Sequence, residues 1–243
     1  MDAPIPHRRS LVASGVAAAG LALAVAAMAD ASVVFTGTGT NPEVGGPASG
    51  SASFSISGST LTVVLTNTTS PRTTAQGNAL TGFTFDLTGG SASLSLTNLA
   101  LTSGSVIWTS KFASNTSDPL NGSWTTALGA SPLGQYGAST SGFGGAFNGG
   151  SISLGNSGPN YGIVAAGTFD GTNVTFGGSQ FPFIQNSLTF TFTGIGGFSE
   201  SQIANVKLCF GTDGTGVVTT VPGPAGIALL GLAGLTGRRR RAA

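Results

Sequence analysis

The sequence predicts an all-β protein, a single antiparallel β-sandwich of jelly-roll-like kind, and three observations carry that prediction. Large apolar residues recur at every second position in one run after another, with Ser or Thr between them. No stretch between the two ends of the chain holds a 3.6-residue apolar period for three turns, so no long helix is expected there. The alternating runs are separated by Gly-, Ser- and Asn-rich stretches that suit turns.

Taken in order, "SASFSIS" (51–57) alternates Phe54 and Ile56 with serines, and Gly58-Ser59 follows as a two-residue turn. "TLTVVLTN" (60–67) then carries Leu61, Val63 and Leu65 on one face, which completes a hairpin. "GFTFDL" (82–87), "ASLSLT" (92–97), "SLTFTFT" (187–193) and "NVKLCF" (205–210) repeat the pattern. Each places apolar groups on one side and hydroxyls on the other, as a strand with one packed and one wet face requires. Residues 110–160 read as rim loops or an insertion in which only "SISL" (151–154) looks like a strand, and "YGIVAAGTF" (161–169) and "NVTF" (173–176) resume the strand pattern.

Both ends differ from this middle. Arg8 and Arg9 precede an apolar run from Leu11 to Ala29, and small residues at Ala27, Ala29 and Ala31 offer cleavage sites, so residues 1–31 read as an export signal, helical before removal. Residues 32–220 form the β-domain. Residues 221–243 hold Val221-Pro222-Gly223-Pro224, a short apolar helix from Ala225 to Leu235, and Arg238, Arg239, Arg240 and Arg241. That helix is shorter than the roughly 20 residues a bilayer span needs, and the arginines hold its end on the cytoplasmic side.

This order of a Pro-x-Pro step, a short apolar helix and a terminal arginine cluster resembles the PEP-CTERM sorting signal of bacterial surface proteins. Gly223 stands where that pattern has Glu. The strings "LTVVLTNTT", "LTGFTFDL" and "IQNSLTFTFTGIGGFSESQIANVKLCFGT" are similar to parts of exosortase-dependent surface proteins. The resemblance implies export machinery, signal peptidase and an exosortase as partners. It also implies transient anchoring in the inner membrane, and a destination at the cell surface, outer envelope or extracellular matrix.

Composition narrows the chemistry of the domain. The middle has three basic and six acidic residues, net −3, and Arg72, Lys111 and Lys207 are too dispersed to displace phosphate counterions, which argues against nucleic acid. His7 is the single histidine and lies in the export signal, so histidine bases, Ser-His-Asp triads and histidine metal sites are not expected. Cys209 cannot form an internal disulfide or a zinc site alone, and its phase with Lys207 points to the less buried side of its strand. Candidate carboxylates are Glu43, Asp86, Asp118, Asp170, Glu200 and Asp213. Asp170-Gly171-Thr172-Asn173 and Asp213-Gly214-Thr215 offer calcium-type oxygens, although Asp-Gly also simply makes a tight turn. Trp108, Trp124, Tyr136 and Tyr161 are candidates for stacking on sugars or for packing, and Asn67, Asn115, Asn121 and Asn173 lie in glycosylation sequons.

The expectation is an exported, non-catalytic surface or matrix protein with no cofactor and no metal site. The alternative is a carbohydrate-binding module at the cell surface, with calcium assisting and polysaccharide as partner. A third is a glycoside hydrolase using two of the six acids.

Overall fold

In a computed structural model, residues 32–41, 45–117, 120, 123–128, 133–140, 160–169, 181–211 and 216–223 are described. Among them the protein is all-β, with two three-residue 3-10 turns, Gln76–Asn78 and Glu200–Gln202. The predicted signal helix, the C-terminal apolar helix, "SISL" and "NVTF" lie outside the described residues. Among the described residues no helix is long and apolar enough to cross a membrane.

Among the described residues fifteen strands form two sheets. The first has six: β1 (Ser32–Thr40), β2 (Pro47–Ser57), β3 (Thr60–Asn67), β5 (Ser95–Leu101), β12 (Ser187–Thr193) and β15 (Val221–Pro222), in the order β15-β1-β2-β3-β12-β5. In the second, β14 (Gly216–Thr219), β13 (Ile203–Phe210), β4 (Leu80–Leu87), β10 (Ile163–Val164), β11 (Phe183–Gln185), β6 (Val106–Ser110) and β7 (Ala113–Asn115) lie in that order. A ninefold sheet results because β8 (Thr125–Leu128) pairs with β9 (Tyr136–Ser139), which pairs with β4.

The hairpin of β2 and β3 turns where predicted, with Gly58 at φ 61°. The strand expected over 92–97 begins later, at Ser95, and Leu94 is instead buried ahead of it. Three strands in residues 110–160, β7, β8 and β9, were not expected; they are three or four residues long, too short for alternation to register. The sheets are also not wholly antiparallel, since β10 and β11 run parallel. In sequence, the stretch from 165 to 182 between them exceeds the dozen or so residues that joining a parallel pair requires.

The apolar faces of the two sheets meet. Phe54 of β2 lies 5.3 Å from Phe85 of β4, and Phe190 of β12 lies 5.1 Å from Phe83, edge to face in both cases. Phe54, Leu61, Val63, Leu65, Phe83, Phe85, Phe190 and Leu208 are all fully buried. At one end the core closes on an amide: Asn67, 2% exposed, donates from Nδ2 to the carbonyls of Ile163 at 2.8 Å and Asn78 at 3.2 Å. A buried amide without those partners would cost about 1–3 kcal/mol, so the pairing is what lets β3 end inside the protein. Nearby, Gly50 permits close approach of the sheets, because a Cβ there would lie 3.0 Å from Leu208 Cδ1.

The hydroxyl face of the first sheet is half-exposed as expected, but that of the second is not. Thr81, Thr84 and Cys209 are all 0% exposed. Residues 133–135 lie across β4, where Thr84 Oγ1 donates to the Leu133 carbonyl at 3.0 Å and Gln135 N–H donates to Asp86 Oδ1 at 2.7 Å. This corrects the one-wet-face expectation for β4 and β13, and with it the less buried placement of Cys209. Burial pushes the Cys209 thiol up to about 12, opposed only in part by Lys207.

Candidate functional site

Three of the predicted sorting residues, Val221, Pro222 and Gly223, lie together at one edge of the protein, beside β1. There β14 ends the second sheet, Thr220 crosses the gap, and β15 begins the first sheet. Thr220 pins the crossing, its N–H and Oγ1 both donating to the Val206 carbonyl, at 3.3 and 2.7 Å. Val221 pairs with Thr36 and Pro222 with Phe35, antiparallel, and Gly223 N–H donates to the Val34 carbonyl at 2.6 Å. Pro222 has no N–H, so its place on an edge strand costs the ladder nothing on its solvent side. Val221 is 66% exposed.

Gly37 of β1 makes this edge possible. A Cβ at Gly37 would meet Val218 Cγ1 at 2.9 Å, the Thr219 carbonyl oxygen at 3.0 Å and Thr220 Cγ2 at 3.1 Å. Only a residue without a side chain lets the crossover lie this close. Because β15 runs antiparallel to β1, Gly223 lies beside Val34, two residues from Ser32, where β1 starts. Of the predicted sorting residues, Val221, Pro222 and Gly223 are placed here. Pro224, Arg238, Arg239, Arg240, Arg241 and the cleavage candidates Ala27, Ala29 and Ala31 lie outside the described residues.

The other candidates do not assemble into one site. Of the six acids, Glu43, Asp118, Asp170 and Asp213 lie outside the described residues. Asp86 accepts from Gln135 N–H and, through Oδ2, from Asn205 Nδ2 at 2.7 Å, and so holds an irregularity in the β4–β13 pairing. Glu200 Oε1 accepts from the Ile56 N–H at 2.7 Å. Asp86 thus ties β13 to β4, and Glu200 ties the second 3-10 turn to β2. Among the described residues no group of three or more His, Cys, Asp or Glu comes together, and the two Asp-Gly calcium candidates fall outside them.

The four candidate aromatics divide. Trp124 and Tyr136 are 4% exposed and pack in the core, with Tyr136 OH donating to the Ala92 carbonyl and accepting from its N–H. Trp108 is half-buried on the outer face of the second sheet, where its ring lies 4.7 Å from Phe169 and Nε1 donates to Gln185 Oε1 at 2.7 Å. Phe181 and Phe183 extend that cluster; the strand expected over 161–169 is only Ile163–Val164, so Phe169 lies in a turn, and Phe181 also stands outside any strand. Tyr161 is half-buried with φ 62°. Among the sequons, Asn67 is sealed in the core, Asn115 is partly exposed, and Asn121 and Asn173 lie outside the described residues.

At the far edge, by β5, a cleft of about 490 Å³ is lined by Leu99, Leu101, Leu120 and the hydroxyls of Thr102, Ser105 and Thr116. Two of those hydroxyls are already engaged, Thr102 with Thr189 at 3.0 Å and Ser105 with Ser187 at 3.2 Å. Compared with family models, curated proteins and solved structures, the chain matches none.

Proposed function

We propose that the chain is an exported, non-catalytic β-domain, delivered to the cell surface, outer envelope or extracellular matrix by an exosortase-type system. One observation carries the reading: Gly223, bonded to Val34, and Ser32, at the start of β1, lie two residues apart along one edge. A domain held by a signal segment and a terminal apolar segment during export needs both tethers to reach one membrane, and ends placed this close meet that need without unfolding a strand. The structural employment of Asp86 and Glu200 supports a non-catalytic role. Within this reading the fold is a jelly-roll-like sandwich, supported by the facing Phe clusters and by repeated passage between the sheets, as in β3 to β4 to β5 to β6. Fractionation of cells carrying an epitope after Ala31 tests the proposal. The tagged domain is expected in the envelope or medium, and a soluble cytoplasmic pool of the mature domain would end it.

The cluster of Trp108, Phe169 and Phe181 favours the second reading, a surface carbohydrate-binding module. Aromatic rings beside an amide, here Gln185, suit the apolar face and hydroxyls of a sugar. A glycan array read with and without chelator distinguishes the two, since the first reading expects no saturable binding.

A further inference from the structure

We infer that residues 220–223 are a retained latch that sets where the chain can be cut: processing of the folded protein falls on the C-terminal side of Gly223. The inference rests on the reading of residues 221–243 as a processed sorting signal. It adds the boundary between what is kept and what is removed.

A protease takes its substrate as an extended strand with a free backbone edge, the same edge that a sheet neighbour occupies. β1 occupies one backbone edge of Val221 and Pro222, and Gly223 N–H is spent on Val34, so these residues must peel away before they can enter a cleft that closes on both sides of the strand. Upstream, Thr220 holds the Val206 carbonyl through two donors, and residues 218–220 fit against the bare Cα of Gly37. The segment therefore joins both sheets, and losing it would open the edge of the core at Val218, itself 5% exposed. Cleavage is a hydrolysis: one amide C–N bond beyond Gly223 breaks, water supplies the oxygen of the new carboxylate, and its proton goes to the released amine. The rate of any cut upstream of Gly223 follows the fraction of time the latch is open.

Digestion of the purified full-length chain with a low-specificity protease, followed by intact mass, tests this directly. Fragments are expected to accumulate with C-termini at Gly223 or later, while bonds in 216–222 persist. Thr220→Val, which deletes the hydroxyl donor, and Gly37→Ala, which pushes the crossover outward, each leave residues 221–243 unaltered. Each is expected to raise cutting within 218–223 by about fivefold. Equal rates on both sides of Gly223 in the unaltered chain, or no change in Thr220→Val, would overturn the latch. If Gly37→Ala fails to fold, Thr220→Val still decides. The C-terminal mass of envelope material separates the two claims. An end at Gly223 or between it and Arg238 supports the latch, and an end before Gly223 overturns it. Retention of Arg238 to Arg241 overturns the sorting reading and leaves the latch to stand or fall on the digestion.

Discussion

The two sheets solve the same burial problem differently. In the first, β3 alternates half-exposed Thr60, Thr62, Val64 and Thr66 with buried Leu61, Val63, Leu65 and Asn67, so one face is dry and the other wet. In the second, β4 is buried at nearly every position, including both Thr81 and Thr84. Its second face is covered by backbone such as residues 133–135, held by hydroxyl and carboxylate bonds. Ser and Thr on a strand therefore mark a face that tolerates water, without requiring it. What lies over that face decides whether it is wet.

Four substitutions and one titration sharpen this contrast, from the largest effect downward. Thr84→Lys should place an unpaired ammonium in a sealed site and abolish cooperative folding, whereas the outwardly similar Thr62→Lys should shift stability by no more than about 0.5 kcal/mol. Urea unfolding followed by circular dichroism compares them, and equal effects would erase the distinction between the sheets. Phe54→Ala, which empties the shared core between the sheets beside Phe35 and Phe85, should cost about 3–5 kcal/mol in the same assay. Thr84→Val keeps the shape but drops the bond to Leu133, and should cost about 1 kcal/mol.

The last concerns Cys209, on the covered face. Its folded thiol titrates near 12, above the roughly 8.5 of an unfolded cysteine. The stabilisation it lends is whole below the unfolded value and is lost as pH rises through the folded one. Maleimide should leave the folded chain unlabelled at pH 8 and react fully after denaturation; prompt labelling of folded protein would mean that face is open.

Much of the first sheet was legible because its strands are seven to eleven residues long where alternation was read, as in β2, β3 and β12. Period two needs several repeats to stand out, and it reports only the face that packs on the opposite sheet. The cover over β4 escaped for that reason. Leu133, Gly134 and Gln135 form no strand, and Gly134 is needed because a Cβ would lie 2.9 Å from Thr84 Cβ. Cys209 was misplaced by the same blindness. Sequence located the start of the candidate site at Val221, through its prolines. Its pairing with β1 depends on Gly37, which looks in sequence like any other glycine of a Gly-Thr run.

The closeness of Ser32 and Gly223 also carries an engineering consequence. A module whose ends emerge together can be spliced into a surface loop of a host protein, or rejoined by a short linker and reopened at the Gly58 turn, without stretching either framework. Residues 32–223 could thus serve as a graftable cassette, displayed as a side branch from another scaffold instead of as an extension of its length.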